Sequence, residues 1–366
     1  MNATLSTCSV SPTLSRSPQE RILFALDPRE REMFLPDTLS STSPFPARVA
    51  QCLWPDALPQ KTDTANWRAM LDDIRPDILV SAWHMPPLPA DWITGTDNTA
   101  PAPLHYICHL TGSVRRQIPR VFIERGGLVT NWGAQAAPQV AEHALLLALA
   151  SLRQAPQWLP RHAEPRQSNA PVNGIGAIDT RTLFGRRVGI HGCGGVARAL
   201  ASILHPFTPH ITCYSEGVSA SIIYSSGMKP AATLETLFSC SEILFECEAL
   251  TTTNRAMINA PLLALLPDGA LFVNVARGQL IDESALLAEA RTGRLQIALD
   301  VMVNEPVQPD SPWREIPGAI YSPHIAGPTL ERLPCIASRA MDNITRYLTQ
   351  KPLTNLVTLD QYDRST

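Results

Sequence analysis

The sequence predicts an α/β protein made of two doubly wound domains with parallel sheets, and three observations carry that prediction. Short apolar runs of strand length alternate with helical stretches twice along the chain, as they do where helices cover a parallel sheet. A polar stretch from 160 to 181, broken by Pro165, Pro171, Gly174 and Gly176, separates the two series. At 366 residues the chain is longer than one core normally serves, and its 45% hydrophobic content is enough to fill two.

Taken in order, residues 1–19 are rich in Ser, Thr and Pro without apolar periodicity and are expected to form a mobile tail. The first series has strands expected at 22–26, 77–81, 106–110 and 127–130, each a short apolar run bounded by polar or Pro-containing segments. Residues 140–153 read as a helix opened by Pro138 and Glu142. Its apolar centre, residues 144–150, is too short to cross a bilayer. The second series has strands expected at 187–191, 211–214, 243–246, 271–275 and 295–299, with a helix starting at Gly195.

Composition excludes several classes of function. The net charge is −3, and Lys and Arg are scattered, with Arg115-Arg116 and Arg186-Arg187 as isolated pairs, so nucleic acid is not the expected partner. The first residues lack a positive segment followed by an apolar core and no run of about 18 apolar residues occurs, so neither a leader nor a membrane span is expected. The eight cysteines show neither a C-x-x-C pair nor zinc-type His spacing, so they read as reduced thiols of a cytoplasmic protein without a metal site.

Directly after the expected strand at 187–191 stands Gly192-Cys193-Gly194-Gly195-Val196-Ala197, which fits the G-x-G-x-x-A turn of a Rossmann-like domain. Small residues are needed there for a tight turn, for backbone N–H groups to reach a pyrophosphate, and for close packing of helix on strand. Gly174-Ile175-Gly176 also reads G-x-G, but no strand precedes it, so it is rejected as a cofactor loop. The acidic residue that holds the ribose hydroxyls belongs at the end of the next strand. Ser215 stands there and Glu216 follows, so that carboxylate is either displaced by one residue or absent. Without a neighbouring arginine to bind a 2′-phosphate, the site favours NAD over NADP.

Arg277, Glu305 and His324 fall at or beyond the C-terminal ends of the later strands, where open α/β sheets bind ligands. A guanidinium fork can hold a substrate carboxylate, an imidazolium can protonate a ketone oxygen as hydride arrives from nicotinamide, and a carboxylate can orient the ring. The other eight histidines, His143 and His191 among them, read as structural or surface groups.

From Leu183 to Thr329 the chain resembles the D-isomer-specific 2-hydroxyacid dehydrogenase family. The resemblance rests on 183–190, the glycine loop, Leu250-Thr251 with Asn254-Arg255, Asn274-Val275-Ala276-Arg277-Gly278, Ala298-Leu299-Asp300-Val301, Glu305-Pro306 and Pro323-His324-Ile325-Ala326-Gly327. It implies catalysis by Arg277, Glu305 and His324, with Asp300 near the nicotinamide amide. Cofactor contacts are implied at Gly192, Gly194, Gly195, Val196, Ser215, Cys247, Thr251, Val275, Ala276 and Gly327. It also implies a dinucleotide-binding domain at 136–329 inserted into a substrate domain formed by 20–135 and 330–366. Residues 140–143 are similar to an interdomain helix that in relatives helps form a homodimer.

Two regions depart from the family pattern. At the front, Gly112-Ser113-Val114-Arg115 occupies the place of a Gly-rich loop that binds substrate carboxylate, so Ser113 and Val114 are expected at the substrate, in a pocket reshaped by Arg115. At the cofactor, Cys247-Glu248-Ala249 replaces a His-x-Pro turn and Ser215 replaces the ribose-binding Asp. An alternative reading is a dinucleotide-sensing protein without turnover, as in corepressors that share this fold. A third is a dehydrogenase of phosphite or formate, the latter disfavoured because Glu305 keeps a carboxylate where formate enzymes carry a neutral amide.

Overall fold

The structure, a computed structural model, describes residues 19–36, 45, 50–96, 100–158 and 178–364. The expected tail up to residue 18 and the rejected Gly174-Ile175-Gly176 lie outside the described residues. By internal packing the chain divides into two compact units, Met1–Thr111 with Gln117–Asn131 and Ala337–Val357, and Gly112–Arg116 with Trp132–Ile336 and Thr358–Thr366.

The first unit holds a five-stranded, all-parallel sheet built from β1 (Glu20–Ala25), β2 (Ala50–Leu53), β3 (Ile78–Ser81), β4 (Tyr106–His109) and β5 (Leu128–Thr130), in the order β2-β1-β3-β4-β5. Its central strands are buried on both faces, with Ile22, Leu23, Phe24, Leu79 and Ile107 fully shielded, which is why they read as unbroken apolar runs. The helix Leu333–Leu348 closes onto this sheet, where Cys108 Sγ donates to the Ala340 carbonyl at 3.3 Å and Tyr106 stacks on Tyr347.

The second unit holds a seven-stranded parallel sheet from β6 (Val188–His191), β7 (Ile211–Tyr214), β8 (Lys229–Pro230), β9 (Ile243–Glu246), β10 (Leu271–Asn274), β11 (Gln296–Leu299) and β12 (Ile320–Tyr321). The strand order is β12-β11-β10-β9-β6-β7-β8. Alternate residues feed opposite cores: Ile243, Phe245, Leu271 and Val273 face one side, while Leu244 and Phe272 face the other. Helices Ala137–Leu152 and Gly195–Leu204 cover the first side, and Glu283–Thr292 lies on the second. Strand order reverses between β6 and β9, which opens a crevice at their carboxyl ends.

Each strand expected from the sequence forms, with ends shifted by two residues at most. The short β2, β8 and β12 are additional. They lie at or beside sheet edges and carry no apolar run long enough to stand out. Segments 112–116 and 358–366, which the sequence boundaries group with the N-terminal part, belong to the second unit. Within it Arg115 lies over the Tyr362 ring, and a Cβ on Gly112 would come 2.6 Å from the Trp132 indole nitrogen. Among the described residues no helix is long and apolar enough to cross a membrane.

Candidate active site

Every candidate residue lies in the second unit. β6 ends at His191, and Gly192 then turns the chain with φ +95°, a region closed to most L side chains. A Cβ there would also come 2.7 Å from the backbone of Cys247 and Glu248, so only glycine lets the turn run against the loop after β9. Gly194 is the N-cap of the helix Gly195–Leu204 and offers it no side chain, and a Cβ on Gly194 would meet nothing within 4 Å. The first-turn N–H groups, with those of Gly195 and Val196, are thus left uncapped at the positive end of a helix dipole. An open glycine cradle of this kind fits a dinucleotide pyrophosphate.

Around this cradle, side-chain clips shape the other expected cofactor positions. Asn254 accepts from the Thr251 N–H and donates to the Ala249 carbonyl, both at 2.7 Å, which fixes the loop after β9. The buried Asn274 at the end of β10 accepts from the Ala276 N–H at 2.9 Å and donates to the Arg277 carbonyl at 3.0 Å. Val275 and Ala276 therefore sit in a clamped turn. Cys247 is a half-buried free thiol whose pKa burial pushes well up, so it stays protonated. Gly327 is half-buried just beyond His324.

Arg277, Glu305 and His324 are brought together by three contacts. A Cβ on Gly278 would lie 2.0 Å from the Met302 carbonyl carbon, so glycine alone allows the Arg277 turn to dock on the 302–303 backbone. Gln279 Nε2 secures that docking by donating to the Val303 carbonyl at 2.9 Å. Glu305 then accepts from the Met302 N–H at 2.8 Å through one oxygen and from His324 Nδ1 at 2.7 Å through the other. The pair stays accessible, with the His324 side chain 49% and the Glu305 side chain 35% exposed. Burial lowers the pKa of the Arg277 guanidinium, Glu305 opposes the shift, and Arg116 adds to it. These three charges therefore share one neighbourhood.

His324 has φ +55°, an uncommon conformation for a residue with a side chain. Its N–H donates to the carbonyls of Asp300 and Ser322, while the Asp300 carboxylate accepts from Ser322 Oγ and from the N–H groups of Ile325 and Ala326. Asp300 is 1% exposed, and its carboxylate shapes the His324 loop. His143, read from sequence as structural or surface, supports the same loop by bonding Ser322 Oγ through Nε2 at 2.8 Å.

Residues 145–326 match the family described as D-isomer specific 2-hydroxyacid dehydrogenase, NAD binding domain. A glyoxylate/hydroxypyruvate reductase of Arabidopsis thaliana is 30% identical over 64% of this chain and 71% of its own length. The chain belongs to the D-isomer specific 2-hydroxyacid dehydrogenase family. A D-3-phosphoglycerate dehydrogenase of Archaeoglobus fulgidus is 28% identical over 66% of this chain, though the match spans only 45% of that longer protein. The fold is that of D-mandelate dehydrogenase from Rhodotorula graminis, with a TM-score of 0.76 at 20% identity over 93% of this chain and 98% of that one.

Relative to that family pattern, the structure separates the two front arginines. Arg115, the one singled out from sequence, turns to Tyr362 and the Asp363 carbonyl. Arg116 instead lines a cleft of about 560 Å³ with Gln279, Asn304, Glu305 and Gln308. Ser113 Oγ is buried with no hydrogen-bond partner among the described residues, and the side chain of Val114 is packed away at 1% exposure, leaving only its backbone for a ligand. Gln279 is a site-building residue that sequence reasoning missed, and Asn274, Gly278 and Ser322 carry structural roles it did not assign. Gly278 left a signal, since so close a backbone crossing accepts only glycine.

Proposed function

We propose that the chain is an NAD-dependent oxidoreductase that interconverts a 2-keto acid and a D-2-hydroxy acid. The observation that carries this reading is the accessible His324–Glu305 pair at 2.7 Å, in electrostatic reach of Arg277. Bound NADH supplies the hydride, which in the reducing direction goes to the carbonyl carbon. His324 engages Glu305 through Nδ1, so Nε2 is the nitrogen left to give a proton to the carbonyl oxygen. Glu305 holds the ring in register and balances the imidazolium charge. Arg277 takes the substrate carboxylate in its fork and draws electron density from the adjacent carbonyl. The unpartnered Ser113 hydroxyl offers a further hydrogen bond to substrate, and Arg116 adds positive potential over the cleft.

A homodimer through the cofactor domain belongs to the same proposal. Leu146 leaves a large apolar side chain 57% exposed on the helix Ala137–Leu152, a position suited to a partner surface.

The test is loss of dinucleotide absorbance with NADH and NADPH against glyoxylate, hydroxypyruvate and larger 2-keto acids. Turnover with NADH that is abolished by His324→Ala is the expected result. Turnover indifferent to that substitution would remove His324 from the chemistry, and dinucleotide binding without turnover on any substrate would favour the sensor reading.

A further inference from the structure

The two departures at the cofactor site, Ser215 for an acidic residue and Cys247-Glu248-Ala249 for a His-x-Pro turn, are one arrangement in space. Ser215 Oγ donates to Glu248 Oε2 at 2.8 Å. Ser215 follows β7 and Glu248 follows β9, and these strands flank β6 on opposite sides. The Glu248 side chain therefore reaches across the end of β6, directly beside the glycine turn whose Gly192 lies against the backbone of Cys247 and Glu248. Glu216, the other candidate for a displaced carboxylate, is exposed.

We propose that Glu248 is the residue that binds the adenosine ribose and selects NAD over NADP, with Ser215 as its positioning partner. This inference rests on the reading of the glycine loop as a dinucleotide site. The carboxylate is held at both oxygens. Ser215 Oγ donates to one, the Ala249 N–H donates to the other at 2.9 Å, and the residue's own backbone is fixed because the Glu248 N–H donates to Glu246 Oε1 at 2.8 Å. An ionised carboxylate accepts about four hydrogen bonds, and these contacts use two. Two acceptor positions are left for vicinal ribose hydroxyls, the pair that the acidic residue of a Rossmann-like domain ordinarily accepts. A 2′-phosphate would meet the same carboxylate as a like charge. The acceptor thus comes from the neighbouring strand loop, and a serine at the usual position is what leaves room for it.

The experiment is equilibrium binding of NADH and NADPH by fluorescence titration, with no substrate present, on the wild type and three variants. Glu248→Gln should weaken NADH binding by about 10-fold or more, as for loss of a charge-assisted hydrogen bond, and narrow the NADH/NADPH preference. Ser215→Ala, which spares the carboxylate but frees it, should give a smaller loss in the same direction. The double variant Glu248→Ala with Ser215→Asp should recover NADH binding by returning the carboxylate to the end of β7. A wild type that binds neither dinucleotide overturns the cofactor reading and this inference together. A wild type that binds NADH, with the preference unchanged in folded Glu248→Gln, overturns the role of Glu248 alone.

Discussion

Two histidine–carboxylate pairs in the second unit share nearly the same hydrogen bond, Nδ1 to a glutamate oxygen at 2.7 Å for His324–Glu305 and 2.6 Å for His191–Glu246. Their surroundings are opposite. His191 and Glu246 are 2% and 0% exposed, against 49% and 35% for the other pair. In the buried pair Glu246 also accepts from the Glu248 N–H, so it stitches β6 to β9 and holds the loop above the glycine turn. In the open pair half of the His324 side chain reaches solvent. Bond length therefore does not distinguish a buried clamp from the proton donor proposed above. Exposure does.

The largest effect expected from that contrast is on turnover. His324→Ala should lower kcat/KM by about 10²–10⁴-fold, the range of a lost general acid, while moving the thermal midpoint by no more than about 2 °C because the ring is half exposed. Steady-state kinetics beside a melting curve reads both. A collapse of the fold in this variant would erase the distinction between the pairs.

His191→Leu should do the reverse, costing about 3–5 kcal/mol of unfolding free energy because it leaves one partner of a buried pair behind. Urea unfolding followed by tryptophan fluorescence measures it. A loss below about 1 kcal/mol would mean the pair is not the clamp described.

The same pair sets a dependence on pH. Burial pulls the His191 pKa down, but the charge and hydrogen bond of Glu246 outweigh it and the net shift is upward from 6.5. A raised folded-state value gives stability that is complete below the unfolded value near 6.5 and is lost as pH rises through the folded one. The thermal midpoint of the wild type should thus fall as pH rises from 6.5 through the raised folded-state value. His191→Leu should flatten that decline, and an unaltered slope would assign it to other groups.

The smallest effect belongs to the rim of the open pair. Arg116→Gln should raise KM for an anionic 2-keto acid by about 5-fold, near 1 kcal/mol for an exposed cation, with kcat nearly unchanged and the difference shrinking at high salt. Measuring KM at low and high ionic strength separates this charge effect from a change in shape.

Much of this was legible in one dimension. The buried parallel strands stood out because both faces are covered, which turns each into an apolar run such as 243–246 or 271–274. Gly192, Gly194 and the helix after them were legible because backbone geometry restricts that turn to small residues. Arg277, Glu305 and His324 were legible as residue types beside strand ends. Asp300 was legible as a site residue, but its bonds to the Ile325 and Ala326 N–H groups were not, since a carboxylate that caps a loop looks the same in sequence as one that does not.

The sequence by itself determined the class of fold, the position of the glycine cradle and the set of ionisable groups around it, because these depend on local periodicity and on which residues a turn can accept. Only the tertiary structure decided which of two adjacent arginines faces the cleft, which of two histidine–glutamate pairs is open, and that Ser215 and Glu248 meet across the end of β6. Those outcomes depend on contacts between residues that lie 19 to 248 positions apart in the chain, and no local rule fixes which side chains will converge once a sheet brings distant strand ends together.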